Sequence, residues 1–206
     1  MLKKLDDSTK LLLIGIIFLV MILYILVTSI GSNDKKDYQI ISKFLNTMGN
    51  NYSLKISSGD VSISYSRDND IEVFESESFT NKKYVKYNEK TYLYGIGKLK
   101  EAEPNNDLND KYYYDMELIK KVFNYCKYSN AISGIVKCKI TNSNYNNELQ
   151  SLYGISRQND KDIVINFFYS GKNVKRIMID YDDEKYDIQI ISLNKNDYKE
   201  ILSSIK

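Results

Sequence analysis

The sequence predicts an α+β fold: an N-terminal transmembrane helix, then an antiparallel β-meander domain covered by helices. Three observations predict it. Residues 11–30 carry no charge. At about 1.5 Å per residue that run reaches roughly 30 Å, the thickness of a bilayer's hydrocarbon core. Two stretches, 52–94 and 163–190, alternate apolar and polar residues with period two and are broken by short polar turns. Around them, apolar residues recur at helical spacing.

The run LLLIGIIFLVMILYILVTSI is apolar all round and too long for a buried core helix. Its rival reading is a cleaved signal peptide, whose apolar region spans about 7–15 residues and ends on small residues. Here the apolar part runs from Leu11 to Val27, and Ser29-Ile30-Gly31 is a weak cleavage pattern. No Cys stands at its end to carry a lipid. An uncleaved signal-anchor is therefore expected; a mature chain starting near Ser32 would replace it. Lys3, Lys4 and Lys10 precede the run, while Lys35 and Lys36 follow it. The positive-inside rule then makes residues 1–10 a cytoplasmic tail. It makes 31–206 an extracytoplasmic domain of a single-pass protein in a bacterial cell membrane.

Residues 38, 41, 44, 45 and 48 (Tyr, Ile, Phe, Leu, Met) share one face of a helix that Asp34 can cap and Gly49 can stop. That face either covers the domain core or lies on the membrane surface. Tyr52, Leu54 and Ile56 begin the first meander. Turns follow at Ser58-Gly59-Asp60 and over residues 67–70, and Asn88-Glu89-Lys90 makes a hairpin loop. From Gly95 to Tyr114 the alternation fails, in a polar stretch with the only proline, Pro104. It reads as a connection between two halves. A helix near Asp115 puts Met116, Ile119, Val122, Phe123 and Cys126 on one face. Val136, Cys138 and Ile140 make a strand. Residues 142–154 are turn-rich, with one short helix around Leu149 and Leu152. The second meander turns over residues 170–173 and 182–185. Asn196 can cap a last helix bearing Tyr198, Ile201, Leu202 and Ile205.

This order of elements, with the hairpin NKKYVKYNEKTYLY (residues 81–94), resembles the LolA/LolB-like envelope proteins over residues 38–206. The resemblance implies an open β half-barrel closed by helices, carrying lipids or lipoproteins in an apolar cavity. The chain departs from that pattern in keeping a membrane span where many members have a lipidated Cys or a cleaved signal. No functional residue carries over.

Chemistry-bearing patterns are scarce. The chain has 29 basic and 27 acidic residues, and the first ten hold three and two of them. A near-neutral exported part lacks the basic face of a nucleic-acid binder. There is no His, hence no Ser-His or Cys-His nucleophile pair and no imidazole ligand. Two Cys without His do not complete a four-ligand zinc site. G-x-S-x-G, P-loop and G-x-G-x-x-G patterns are absent. Asn105, Asp107 and Asn109 imitate a calcium loop, but Asp110 fills its Gly position and Met116 its Glu position. Asp180, Asp182, Asp183 and Glu184 read as solvated turn residues. Catalytic, metal and cofactor-binding residues are thus expected to be none, and the chain is not expected to be an enzyme. Paired carboxylates in a cleft would reverse that.

Cys126 and Cys138 fall on inward faces of adjacent elements. In an exported domain they either bond or pack as two apolar thiols. The expected role is a membrane-anchored extracytoplasmic binding module for a lipid or other apolar ligand, or for an envelope protein partner. The alternative is an accessory subunit of a cell-envelope membrane complex.

Overall fold

The computed structural model describes residues 16–22, 35–76, 83–95, 98–102, 115–128, 134–158, 160–181 and 184–203. Among the described residues, eleven strands form one antiparallel sheet. They are β1 (Asn51–Ser58), β2 (Val61–Asp68), β3 (Ile71–Ser76), β4 (Lys83–Tyr87), β5 (Lys90–Gly95) and β6 (Lys98–Ala102), then β7 (Lys127–Tyr128), β8 (Ile135–Ile140), β9 (Ile163–Ser170), β10 (Asn173–Tyr181) and β11 (Glu184–Leu193). Their spatial order is β6-β5-β4-β3-β2-β1-β11-β10-β9-β8-β7. Adjacent antiparallel strands need only short turns, so each half is a meander. The chain walks from β1 out to one edge, crosses to the other, and walks back until β11 pairs with β1. The two halves meet along that central seam, with a register shift between Ser53 and Leu54.

Alternation decides which face is covered. Leu54, Ile165, Phe167, Ile177 and Ile188 all point to one face and are buried there. Against them pack α1 (residues 35–47), α2 (Met116–Val122) and α3 (Asn142–Tyr153). Helix α1 contributes Ile41, Phe44 and Leu45, and Tyr38 stacks on Phe123 at 4.8 Å between ring centroids. The apolar face of α1 therefore covers the core rather than a membrane surface. Helix α2 is capped by Asp115, whose carboxylate accepts from the Glu117 N–H at 2.7 Å. Leu118 and Val122 of α2 and Leu149 of α3 are fully buried. Each such side chain contributes about 1.5–3 kcal/mol relative to exposure.

The last helix, α4 (Lys199–Ser203), lies elsewhere. Tyr198 and Ile201 pack on Ile71, Val73 and Val85, a separate cluster on the other face of β3–β4. Asn196 does not cap this helix; the Asp197 carboxylate accepts from the Lys199 N–H instead. The Asn196 side chain donates to the carbonyls of Tyr52 and Arg67 at 2.8 and 3.0 Å and accepts from Ser53 Oγ. Its backbone N–H donates to Asn51 Oδ1. The tail is thus pinned across β1 and β2 before it reaches its own cluster.

Other expectations change in ways the physics explains. Strand β6 falls inside the stretch where alternation fails. It is an edge strand rich in Lys and Glu, the composition that blunts edges and hides them from pattern reading. Strand β7 is only two residues long. Residues 142–153 form a full helix because both ends are capped: Thr141 accepts from the Asn144 N–H, and Gly154 takes the left-handed conformation at φ 69°. Gly49 does not take that conformation; α1 ends at residue 47 without it. Strand β2 continues through Arg67 and Asp68, and its turn is Asn69-Asp70, with Asn69 at φ 54°.

Of the expected span 11–30, residues 16–22 are described; they are helical, and all are exposed. The rest of the span lies outside the described residues, as do the tail 1–10, Asp34, the loop 103–114, Asp182, Asp183 and Ile205. Among the described residues no helix is long and apolar enough to cross a membrane.

Candidate functional site

A cleft of about 450 Å³ opens between the C-terminal end of α1, helix α2 and the sheet at β1–β2. That size lies within the range of small-ligand sites. Leu45 reaches it from α1, Met48 from the residue just past that helix, Met116 from α2 and Tyr52 from β1. Arg67 enters from β2, and Lys120, Lys121 and Glu117 from the polar side of α2. The cleft therefore joins apolar walls to a charged rim.

The sheet register continues this division. Leu54, Tyr65, Phe74, Tyr84 and Leu93 are successive cross-strand partners from β1 to β5. Directly opposed residues share a face, so these five form an apolar, largely aromatic row. Tyr65 and Phe74 lie 4.9 Å apart between ring centroids. The next row reads Tyr52, Arg67, Glu72, Lys86 and Thr91. Its charges alternate in sign along Arg67, Glu72 and Lys86. Glu72 is buried and accepts from the Tyr65 hydroxyl at 3.3 Å. Cationic neighbours on both adjacent strands offset the cost of burying that carboxylate.

Arg67 is the best-held charge at the cleft. Its Nε donates to the Asn69 carbonyl at 3.1 Å. Burial acts against the guanidinium, but Tyr65, Tyr52 and Glu72 outweigh it and keep it above its usual range. Burial, with the Asp115 charge adding, pushes the Tyr52 phenol up to about 12. Burial likewise holds the Tyr65 phenol well above its ordinary value. At neutral pH the corner thus presents a permanent cation beside two neutral phenols.

The structure brings Cys126 and Cys138 together as a disulfide, with Cα atoms 5.2 Å apart. The pair ties the end of the 3₁₀ turn Phe123–Tyr125 to β8; neither cysteine lines the cleft, although Asn124 of that turn does. Asp180 lies 3.8 Å from Lys185, and Glu184 accepts from the Tyr186 hydroxyl. Neither lines the cleft. Among the described residues no group of three or more His, Cys, Asp or Glu is arranged to hold a metal.

Sequence reasoning assigned no residue to this cleft. One signal was available. Arg67 sits in phase with Ile63 and Tyr65, on the inward side of β2, where an arginine is costly and needs a reason. Reading residues 67–70 as a turn conceals that phase.

No protein-family model matches the chain, and no curated protein matches it. Solved structures do. The crystal structure of LprF from Mycobacterium bovis is similar at a TM-score of 0.51 and 13% identity, covering 81% of this chain and 95% of that one. The Mycobacterium tuberculosis lipoprotein LppX is similar at a TM-score of 0.44 and 9% identity, over 78% and 96% of the two chains. At such identity the match to LprF shows a shared fold. That fold is the open antiparallel sheet described above, with α1, α2 and α3 packed on one face.

Proposed function

We propose that this chain is a single-pass, membrane-anchored, extracytoplasmic module that binds a lipid or other apolar ligand, and that it is not an enzyme. One observation carries the reading: the cleft between α1, α2 and the sheet, with Leu45, Met48, Met116 and Tyr52 in its walls. The proposed anchor is the uncharged run 11–30, and the proposed orientation rests on the flanking lysines.

Photolabelling tests the reading. The full-length chain in detergent is irradiated with a 12-carbon alkyl diazirine, and the adducts are mapped by peptide mass spectrometry. Labelling of the segments holding Met48 and Met116 is expected, saturating with probe concentration. Labelling confined to residues 11–30, which any apolar reagent will modify, would refute the ligand-binding role.

A further inference from the structure

We infer that the cleft selects amphiphiles whose head group is a phosphate-class anion, with Arg67, Lys120 and Lys121 receiving the head and the Leu45–Met48–Met116 wall receiving the chain. This rests on the ligand-binding reading above and adds the chemistry of the head group.

Charge is the first argument. Three cations and one acid, Glu117, line the cleft, so its walls carry a formal excess of two positive charges. Among the described residues Lys120 and Lys121 make no ion pair. Lysines in the last turn of a helix also offset its dipole, which alone would account for them. Arg67 stands on a strand, on the inward face, in a position that apolar residues hold elsewhere in β2; Glu72 opposite it on β3 is its partner within the fold, and Arg67 lines the cleft as well. A guanidinium cannot shed its proton to ease burial, and its planar fork of donors matches phosphate oxygens. The Nε bond to Asn69 and the contact with Tyr52 fix its orientation in advance.

Arrangement is the second argument. The cations line the same cleft as Met48, Met116 and Leu45, rather than a separate patch. Along the sheet a charged row runs beside an aromatic row in register. A ligand with a charged end and an apolar body matches both; a plain hydrocarbon leaves the cations unused, and a free anion leaves the apolar wall unused.

Competition against the diazirine label reads this out on the full-length chain. Competitors are monododecyl phosphate, the uncharged 1-O-dodecylglycerol, and inorganic phosphate. Monododecyl phosphate is expected to remove the Met48 and Met116 label at a concentration at least tenfold lower than dodecylglycerol. Inorganic phosphate is expected to leave it. The double variant Lys120→Gln/Lys121→Gln should narrow the preference to below threefold, whereas Lys172→Gln/Lys175→Gln, exposed on the β9–β10 turn and the start of β10, should keep it. Arg67→Gln should narrow it further; if that variant does not fold, the lysine pair decides. Equal potency of the two dodecyl competitors overturns the head-group assignment and leaves the ligand-binding reading intact. No displacement by either overturns both. Displacement by inorganic phosphate at the concentration of dodecyl phosphate overturns the amphiphile and points to a free-anion site.

Discussion

The two faces of the sheet are stabilised very differently. On one, three helices bury a continuous core drawn from β1, β2, β3 and β8–β11, including Phe167, Ile165 and Ile177. On the other, the buried set is Ile71, Val73 and Val85, covered by the short α4 and by partly buried tyrosines such as Tyr87 and Tyr92. Two of the helices on the first face, α2 and α3, are inserted between strands, so their chain connections are secured at both ends. The second relies on a segment that enters from β11 and is held by Asn196. Burial area favours the first cluster, and the second depends on a polar latch. The cleft sits at the margin of the large core, where α1 ends and the charged row begins.

The largest effect should come from the main core. Phe167→Ala should cost about 3–5 kcal/mol, because a full ring is removed from a site too packed to collapse. Urea unfolding followed by circular dichroism measures it; a loss under 1 kcal/mol would mean the large cluster is not the stabilising one. Reduction of the Cys126–Cys138 bridge comes next, at about 3 kcal/mol in the chain-entropy model for a loop of this size. Alkylation of unreduced protein should add no label by mass spectrometry, and two labels would show free thiols.

Alkaline pH probes the margin between the regions. Tyr52 titrates in the fold near 12, against about 10 for an unfolded tyrosine. A group whose folded value is raised contributes stability in full below the unfolded value and loses it as pH climbs through the folded one. Stability should therefore hold up to pH about 10 and fall by about 2–3 kcal/mol as pH approaches 12. Phenolate absorbance at 295 nm should show a class of tyrosines ionising only with unfolding; a single midpoint near 10 would contradict their burial.

The smallest global effect should come from Asn196→Ala, about 1–3 kcal/mol for the unpaired buried groups it leaves. Its local signature is sharper. Hydrogen exchange should speed up at Ile71, Val73 and Val85 while amides of β9 and β10 stay protected. Uniform acceleration across the sheet would erase the distinction between the two clusters.

Much of this contrast was legible in the chain, and the failures have particular causes. Alternation at Leu54, Ile56, Ile165 and Ile188 marks the strands because a half-covered sheet demands it. The spacing of Ile41, Phe44 and Leu45 marks α1 for the same reason at helical period. Strand β6 was hidden because an edge tolerates charge. Helix α3 was legible only as a short helix around Leu149 and Leu152; its full length was hidden because only Tyr145 and Leu149 are buried, too few to raise a periodic signal. Asn196 looked like a cap because its residue type suits that role; its actual partners, Tyr52 and Arg67, lie more than a hundred residues away.

Residue order alone determined the class: the uncharged run, the two meanders and the helices between them, since each is a local period that burial imposes on neighbouring side chains. Tertiary structure decided how the meanders join at β1 and β11, which face each helix covers, and that Arg67, Lys120 and Met48 share one cleft. Those are contacts between distant segments, and no local spacing encodes them, because the free energy that selects them arises only when the surfaces meet.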